Sequence, residues 1–182
     1  MRVISGTARG RRLKELQGMD TRPTTDKVKE SIFNIIQFDI EGRRALDLFS
    51  GTGQLGIEAL SRGAARCTFL DQRKEAVALI RENLKTTGLS ERAAVLQGDA
   101  ISFLTTCREK FDLIFLDPPY QSDLLERALD AITRIDILNG NGIILCESSV
   151  EKILPQPNGP YEMGREYRYG KIKLTLYHRV AE

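Results

Sequence analysis

Ala45-Leu46-Asp47-Leu48-Phe49-Ser50-Gly51-Thr52-Gly53-Gln54-Leu55-Gly56 is the stretch on which the reading of this chain turns. A short, mostly apolar run enters a G-x-G-x-x-G loop, and a helical pattern then continues through Leu60. Glycines let the backbone turn tightly and let a ligand approach without meeting a Cβ. Asp71 ends the next apolar run, 20 residues after Gly51, where a carboxylate can accept hydrogen bonds from two ribose hydroxyls. A strand before the loop and a helix after it supply the context the fingerprint requires. A nucleoside cofactor is expected.

The rhythm of strand then helix extends outward from this loop. Apolar runs at Cys67–Leu70, Ala93–Leu96, Phe111–Leu116 and Gly142–Cys146 alternate with helical patterns. One helix carries Ala76, Ile80, Asn83 and Leu84 on one side; others lie near Ile101–Cys107 and Asp123–Ile135. Near-continuous apolar strands separated by amphipathic helices predict a parallel sheet covered on both faces. Beyond Pro155 the pattern changes to two extended runs, Tyr161–Tyr169 and Lys171–Tyr177, meeting at Gly170 as an antiparallel hairpin. Upstream, Arg2–Ser5 and Arg11–Lys14 flank a glycine-bearing turn and predict a small N-terminal β-hairpin. Val28, Ile32, Ile35 and Ile36 form one helical stripe, with Thr24 or Thr25 as its cap. The expected organisation is an N-terminal extension over 1–23 and a doubly wound α/β domain over 24–182.

Composition narrows the class. The 182 residues, 41% of them apolar by side chain and 29% charged, suit one soluble domain. No stretch approaches the roughly 18 unbroken apolar residues of a membrane helix, and the first residues do not read as a signal peptide. Cys67, Cys107 and Cys146 form no C-x-x-C pair, so reduced thiols in a cytoplasmic protein are expected, and no zinc site. Net charge is +2, yet residues 1–29 hold eight basic and three acidic residues while the remainder holds 19 and 22. A basic head on a slightly acidic body suits a polyanionic partner met at one end, although a solvated arm has the same composition.

The type of cofactor follows from charge. A dinucleotide needs its pyrophosphate at the helix N-terminus. Asp47, four residues before Gly51, would repel a pyrophosphate and attract an ammonium. S-adenosylmethionine (SAM) carries such an ammonium and no phosphate. Gly98-Asp99-Ala100 places another carboxylate near the expected adenine edge, where Asp99 could accept from the exocyclic amine, cap a helix, or do both. Asp117-Pro118-Pro119-Tyr120 follows the fourth strand and should face the glycine loop across the switch point. Asp117 and carbonyls of the proline turn can hold the hydrogens of an exocyclic amine, while Tyr120 offers a face for a flipped base.

Together Asp47–Gly53, Asp71, Gly98-Asp99 and Asp117–Tyr120 resemble class I SAM-dependent amino-methyltransferases. The head, Arg2–Gly6 with Gly10–Leu13 and Leu16–Asn34, is similar to the RsmD family, whose members methylate the N2 amine of a guanine in bacterial 16S ribosomal RNA. The resemblance covers essentially the whole chain. It implies a Rossmann-like class I methyltransferase fold and SAM as cofactor, bound by Asp47, Ser50, Gly51, Gly53, Asp71, Gln72, Asp99 and Ala100. It implies Asp117, Pro118 and Tyr120 at the target base, and Arg9, Arg11, Arg12, Lys14 and Arg22 on RNA, within a small-subunit particle and without a metal.

Other classes share part of the pattern. A DNA adenine-N6 or cytosine-N4 methyltransferase shares Asp117–Tyr120, but no segment is long enough for a target-recognition domain. An NAD-dependent oxidoreductase fits the glycine loop alone. An RNA-binding assembly protein with a dead site is opposed by the intact motifs. His178, the only histidine, has no partner for a dyad. Tyr161, Tyr167, Tyr169 and Tyr177 read as strand packing, and Arg165, Arg168, Lys171 and Lys173 as a solvated edge.

Overall fold

A computed structural model describes residues 1–17 and 24–181. Arg22, expected on RNA, lies outside the described residues. Seven strands form one sheet, in spatial order β3-β2-β1-β4-β5-β7-β6. They are β1 (Arg44–Asp47), β2 (Arg66–Asp71), β3 (Ala93–Gln97), β4 (Phe111–Leu116), β5 (Leu138–Ser149), β6 (Tyr161–Tyr169) and β7 (Ile172–Arg179). The first five run parallel, and β7 joins β5 antiparallel, with β6 on its outer side.

The helices divide between the two faces. α1 (Asp26–Ile35), α2 (Gln54–Ser61) and α3 (Lys74–Thr87) bury Ile32, Phe33, Ile57, Leu60 and Ile80 against one face. α4 (Ala100–Thr106) and α5 (Leu124–Ile135) bury Leu104, Leu125, Leu129 and Ile132 against the other. Thr25, not Thr24, caps α1, its hydroxyl accepting from Val28 N–H at 3.2 Å. Thr24 is thereby free to point elsewhere. Tyr161 and Tyr177 are core residues whose hydroxyls reach Asp136 and the Pro155 carbonyl. Lys173 departs from the solvated edge expected of it. It is buried because β7 is flanked by β5 and β6, and its ammonium donates to the Lys152 carbonyl.

The N-terminal arm pairs antiparallel about a bridge between Arg2 and Arg12, with Val3 N–H donating to the Arg11 carbonyl at 2.9 Å, Gly10 N–H to the Val3 carbonyl at 2.9 Å and Leu13 N–H to the Met1 carbonyl at 3.0 Å. The turn between its two limbs is anchored on α2. Thr7 N–H donates to the Ser61 carbonyl at 2.8 Å and Ala8 N–H to Ser61 Oγ at 2.9 Å. Val3, Ala8 and Leu13 join the core beside α1 and α2. Beneath the arm, Glu58 accepts from Ile4 N–H at 2.8 Å and Ser5 N–H at 3.0 Å. Lys29 Nζ lies 3.2 Å from Glu58 Oε1, both side chains 0% exposed, and donates to the Arg2 carbonyl at 2.7 Å. Burial pulls the Lys29 pKa down while Glu58 opposes that pull. Lys29 therefore leaves the basic head and becomes part of the core.

Removing one member of a buried ion pair strands the other, at a typical cost of about 3–5 kcal/mol. Glu58→Ala also orphans two arm amides, so we expect a loss at the upper end of that range in urea unfolding. Proteolysis should then cut first within residues 1–17.

Candidate active site at the carboxyl ends of β1, β4 and β5

Ligands of open α/β sheets bind beyond the carboxyl ends of the strands, where neighbouring crossovers leave in opposite directions. Here that point lies between β1, followed by α2 on one face, and β4, followed by α5 on the other. The glycine loop leaves β1 there. Ser50 closes it, its hydroxyl donating to the Asp47 carbonyl at 2.5 Å and accepting from Leu70 N–H at 3.1 Å. Gly53 caps α2 with φ +82°, a left-handed conformation suited to glycine. A Cβ on Gly56 would sit 2.3 Å from the Phe69 ring, so this third glycine lets α2 pack onto β2.

Asp47 is 2% exposed and accepts from Gly56 N–H at 3.0 Å. Burial pushes its pKa up to about 7, the Gly56 bond works against this, and the nearby Asp71 adds to it. The carboxylate thus occupies an amide in the first turn of α2 that a pyrophosphate would need. Gln54 Oε1, in the same turn, is a buried acceptor without a hydrogen-bond partner among the described residues. A carboxylate and an orphaned carbonyl beside a glycine loop suit an ammonium. Gln54 appeared in the sequence only as a loop position, since glutamine types carry no charge signal.

The remaining expected cofactor residues lie at or just past the carboxyl ends of β2 and β3. Asp71 accepts from Gly51 N–H at 2.9 Å and from Arg73 N–H at 2.9 Å, with Arg73 Nε at 3.1 Å. Ribose hydroxyls would share that carboxylate with the Arg73 guanidinium. Gln72 is exposed beside it. Asp99 caps α4 by accepting from Ser102 N–H at 2.9 Å, which holds its pKa below the ordinary value, and Ala100 behind it is buried.

Across the switch point, β4 delivers Asp117 to Tyr120. The pairing of Leu116 with Cys146 sets Glu147 beside Asp117 on the neighbouring strand. Glu147 is 3% exposed, and its Oε1 accepts from the Tyr120 hydroxyl at 3.0 Å. Thr24 Oγ1 spans the two carboxyls, 3.4 Å from Asp117 Oδ2 and 3.2 Å from Glu147 Oε2. Burial, then Glu147, then Asp47 raise the Asp117 pKa well above the ordinary range. Pro118 is buried, and the Pro119 carbonyl is taken by Ser122 Oγ at 2.7 Å. That removes one of the two acceptors expected of the proline turn. Sequence reading missed Glu147 because the apolar run appeared to end at Cys146, whereas β5 continues to Ser149. The signal was an acidic residue at the end of a buried strand, as at Asp47 and Asp117.

The arm meets the glycine loop through α3. Asn83 Nδ2 donates to the Thr52 carbonyl at 3.0 Å and the Lys14 carbonyl at 3.1 Å, while Asn83 Oδ1 accepts from Lys14 N–H at 2.8 Å. Lys14's ammonium pairs with Glu82. Arg9, Arg11 and Arg12 are exposed and form no ion pair among the described residues. No group of His, Cys, Asp and Glu among the described residues is arranged to hold a metal.

The family model described as "Conserved hypothetical protein 95" matches residues 1–178. The ribosomal RNA small subunit methyltransferase D of Escherichia coli strain K12 is 35% identical over 182 residues, covering 100% of this chain and 91% of that one. This chain belongs to the RsmD-type methyltransferase family. YlbH of Bacillus subtilis, provisionally named an rRNA methyltransferase, is 44% identical over 98% of this chain and 99% of that protein. A solved Escherichia coli structure, provisionally named the methyltransferase yhhF, superposes with TM-score 0.90 at 35% identity, covering 100% of this chain and 99% of that one. The fold is the Rossmann-like class I methyltransferase fold. No helix among the described residues is long and apolar enough to cross a membrane.

The raised Asp47 pKa has a stability consequence. A carboxyl with a folded pKa near 7 and an ordinary value of 3.8 holds its proton longer in the folded state. Its contribution to stability is full below about pH 4 and is lost as pH rises to about 7, by roughly 4 kcal/mol at the extreme. Asp47→Asn should therefore gain on wild type in chemical denaturation across this window, and match it at pH 4. Parallel curves at every pH would contradict the assignment.

Proposed function

We propose that this enzyme transfers the methyl group of SAM to the exocyclic N2 of a guanine in 16S ribosomal RNA, in the cytoplasm and within a small-subunit particle. The observation that carries the reading is the convergence of Asp47, Asp117 and Glu147 beside a glycine loop. Acidic groups gathered at one strand end favour a cationic ligand and disfavour phosphate, which opposes a dinucleotide. When bound, SAM supplies a positively charged sulfonium with an electrophilic methyl. Asp47 and Gln54 Oε1 would take its ammonium, Ser50, Gly51 and Gly53 would line the methionine, and Asp71 with Gln72 would hold the ribose. Asp99 and Ala100 would border the adenine.

The target base would lie between Tyr120 and the sulfonium. Asp117 and the Pro118 carbonyl would accept the two hydrogens of the amine and aim its lone pair at the methyl, so that catalysis rests on alignment and electrostatics. Guanine presents N–H donors at both N1 and N2, which suits carboxyl acceptors, whereas adenine would set its N1 lone pair against them. The relatives named as small-subunit rRNA methyltransferases support RNA over DNA as substrate. Arg9, Arg11, Arg12 and Lys14, with Arg22, would contact phosphates and leave selection to RNA shape.

Mass spectrometry of nucleosides from small-subunit RNA incubated with the enzyme and labelled SAM tests the reaction. N2-methylguanine should appear, and Asp117→Ala should abolish it while SAM affinity in calorimetry changes little. Label in an adenine or a cytosine, or none, would refute the reading.

The role of the arm has its own signature. Two lost phosphate contacts should lower the magnitude of the log–log salt slope of RNA binding by about 1.4–1.8. Arg11→Ala/Arg12→Ala should show this drop with unchanged SAM binding. An unaltered slope would mean that RNA is held elsewhere.

A further inference from the structure

Glu147 is more deeply buried than its neighbour Asp117, and the proposed methyl transfer uses it only as one of three gathered acids. An acidic side chain 3% exposed at the end of an inner strand requires partners that justify its charge. Among the described residues its partners belong to the site: the Tyr120 hydroxyl at 3.0 Å, the Thr24 hydroxyl at 3.2 Å, and the Asp117 carboxyl beside it. None of these three is a lysine or an arginine. The Asp117 and Glu147 carboxyls are in hydrogen-bond contact, which needs a proton between them because ionised carboxylates only accept. The rise of the Asp117 pKa, caused first by burial and then by Glu147 and Asp47, agrees with that contact.

The reaction releases one proton. As the bond between N2 and the methyl carbon forms, the S–CH3 bond breaks and its electron pair stays on sulfur. The nitrogen, now carrying three substituents beyond the ring bond, must shed a hydrogen. A carboxyl that already shares its proton cannot take a second without passing the first on. We infer that Asp117 and Glu147 work as a relay, in which Asp117 takes the N2 proton while its own proton moves to Glu147.

The charges then balance. A sulfonium of +1 facing a pair of −1 becomes a neutral thioether facing a neutral pair. Glu147 does not touch the base; it is a positioning residue that acts through Asp117. Tyr120 and Thr24 hold its two oxygens, so that the pair meets the amine in one arrangement. Among the described residues, the groups facing the pair are Asp47 from β1, Tyr120 from the loop after β4, and Thr24 from the residue before the α1 cap.

This inference rests on the proposed methyl transfer, and the test separates the two. Single-turnover transfer to small-subunit RNA is measured against pH for wild type, Glu147→Gln and Glu147→Asp, with SAM affinity and Tm for each. Glu147→Gln should lower the rate by about 100-fold, in the range of lost acid–base assistance. The acid limb of its rate profile should move by at least one pH unit, with SAM affinity within twofold of wild type. Glu147→Asp, which keeps a carboxylate, should recover at least tenfold over Gln. If wild type forms no N2-methylguanine, both readings fall. If wild type does, then a Gln variant within threefold of it, an unmoved acid limb, or Asp no better than Gln overturns the relay alone. Should Glu147→Gln fail to fold, Thr24→Val carries the test, since it removes the hydroxyl spanning both carboxyls. A tenfold slower rate with a shifted acid limb supports the relay, and an unchanged profile overturns it.

Discussion

Parallel pairing of β1 with β4 is the constraint on which the site depends. Asp47 pairs with Phe115, and Leu116 pairs with Cys146 on the next strand. Parallel strands end on the same side of the sheet, so Asp47, Asp117 and Glu147 emerge together. Their chains then depart to opposite faces and leave an open crevice between them. Burying carboxyls in this way resists folding, and the raised pKa values of Asp47 and Asp117, caused first by burial and then by neighbouring carboxyls, record that resistance. The hydrophobic layers on both faces offset it. A site ready for a cation is the result.

The same economy explains how a short arm holds its shape. Seventeen described residues joined by a few cross-limb hydrogen bonds could not order themselves alone, since fixing each backbone costs about 1–2 kcal/mol. Their amides instead find acceptors on α2, where Glu58 and Ser61 are already fixed by packing. Lys29 from α1 and Arg62 at the end of α2 together neutralise Glu58. Two helices and the arm are thus joined at one buried charge pair, while Arg9, Arg11 and Arg12 remain outside on a held scaffold. Asn83 ties the base of that scaffold to the glycine loop, so the residues proposed for RNA and for cofactor share a hydrogen-bond network.

Side chains that serve the site appear under unremarkable identities. Thr24 was one of two equivalent cap candidates, and only the α1 geometry gave the cap to Thr25 and turned Thr24 toward the carboxyls. Lys29 and Lys173 carry charge in the sequence yet lie in the core, because each found a buried acceptor. Charge type alone does not distinguish a solvated lysine from a structural one.

Local pattern determined the strands, the helices and the loop. Apolar runs of strand length, helical spacing between them, and a glycine loop followed by Asp71 need no distant information, since each reflects the geometry of a few neighbouring residues. The acidic residues at Asp47 and Asp117 were legible for the same reason: each interrupts or ends an apolar run beside a turn motif. Tertiary structure decided what those residues meet. Glu147 lies 30 residues beyond Asp117, Thr24 lies 93 before it, and Gln54 gains meaning only as an unpartnered acceptor. Hydrogen bonds act over about 3 Å of space and carry no trace of separation along the chain. Registers of parallel strands, set by the sheet as a whole, brought these groups together.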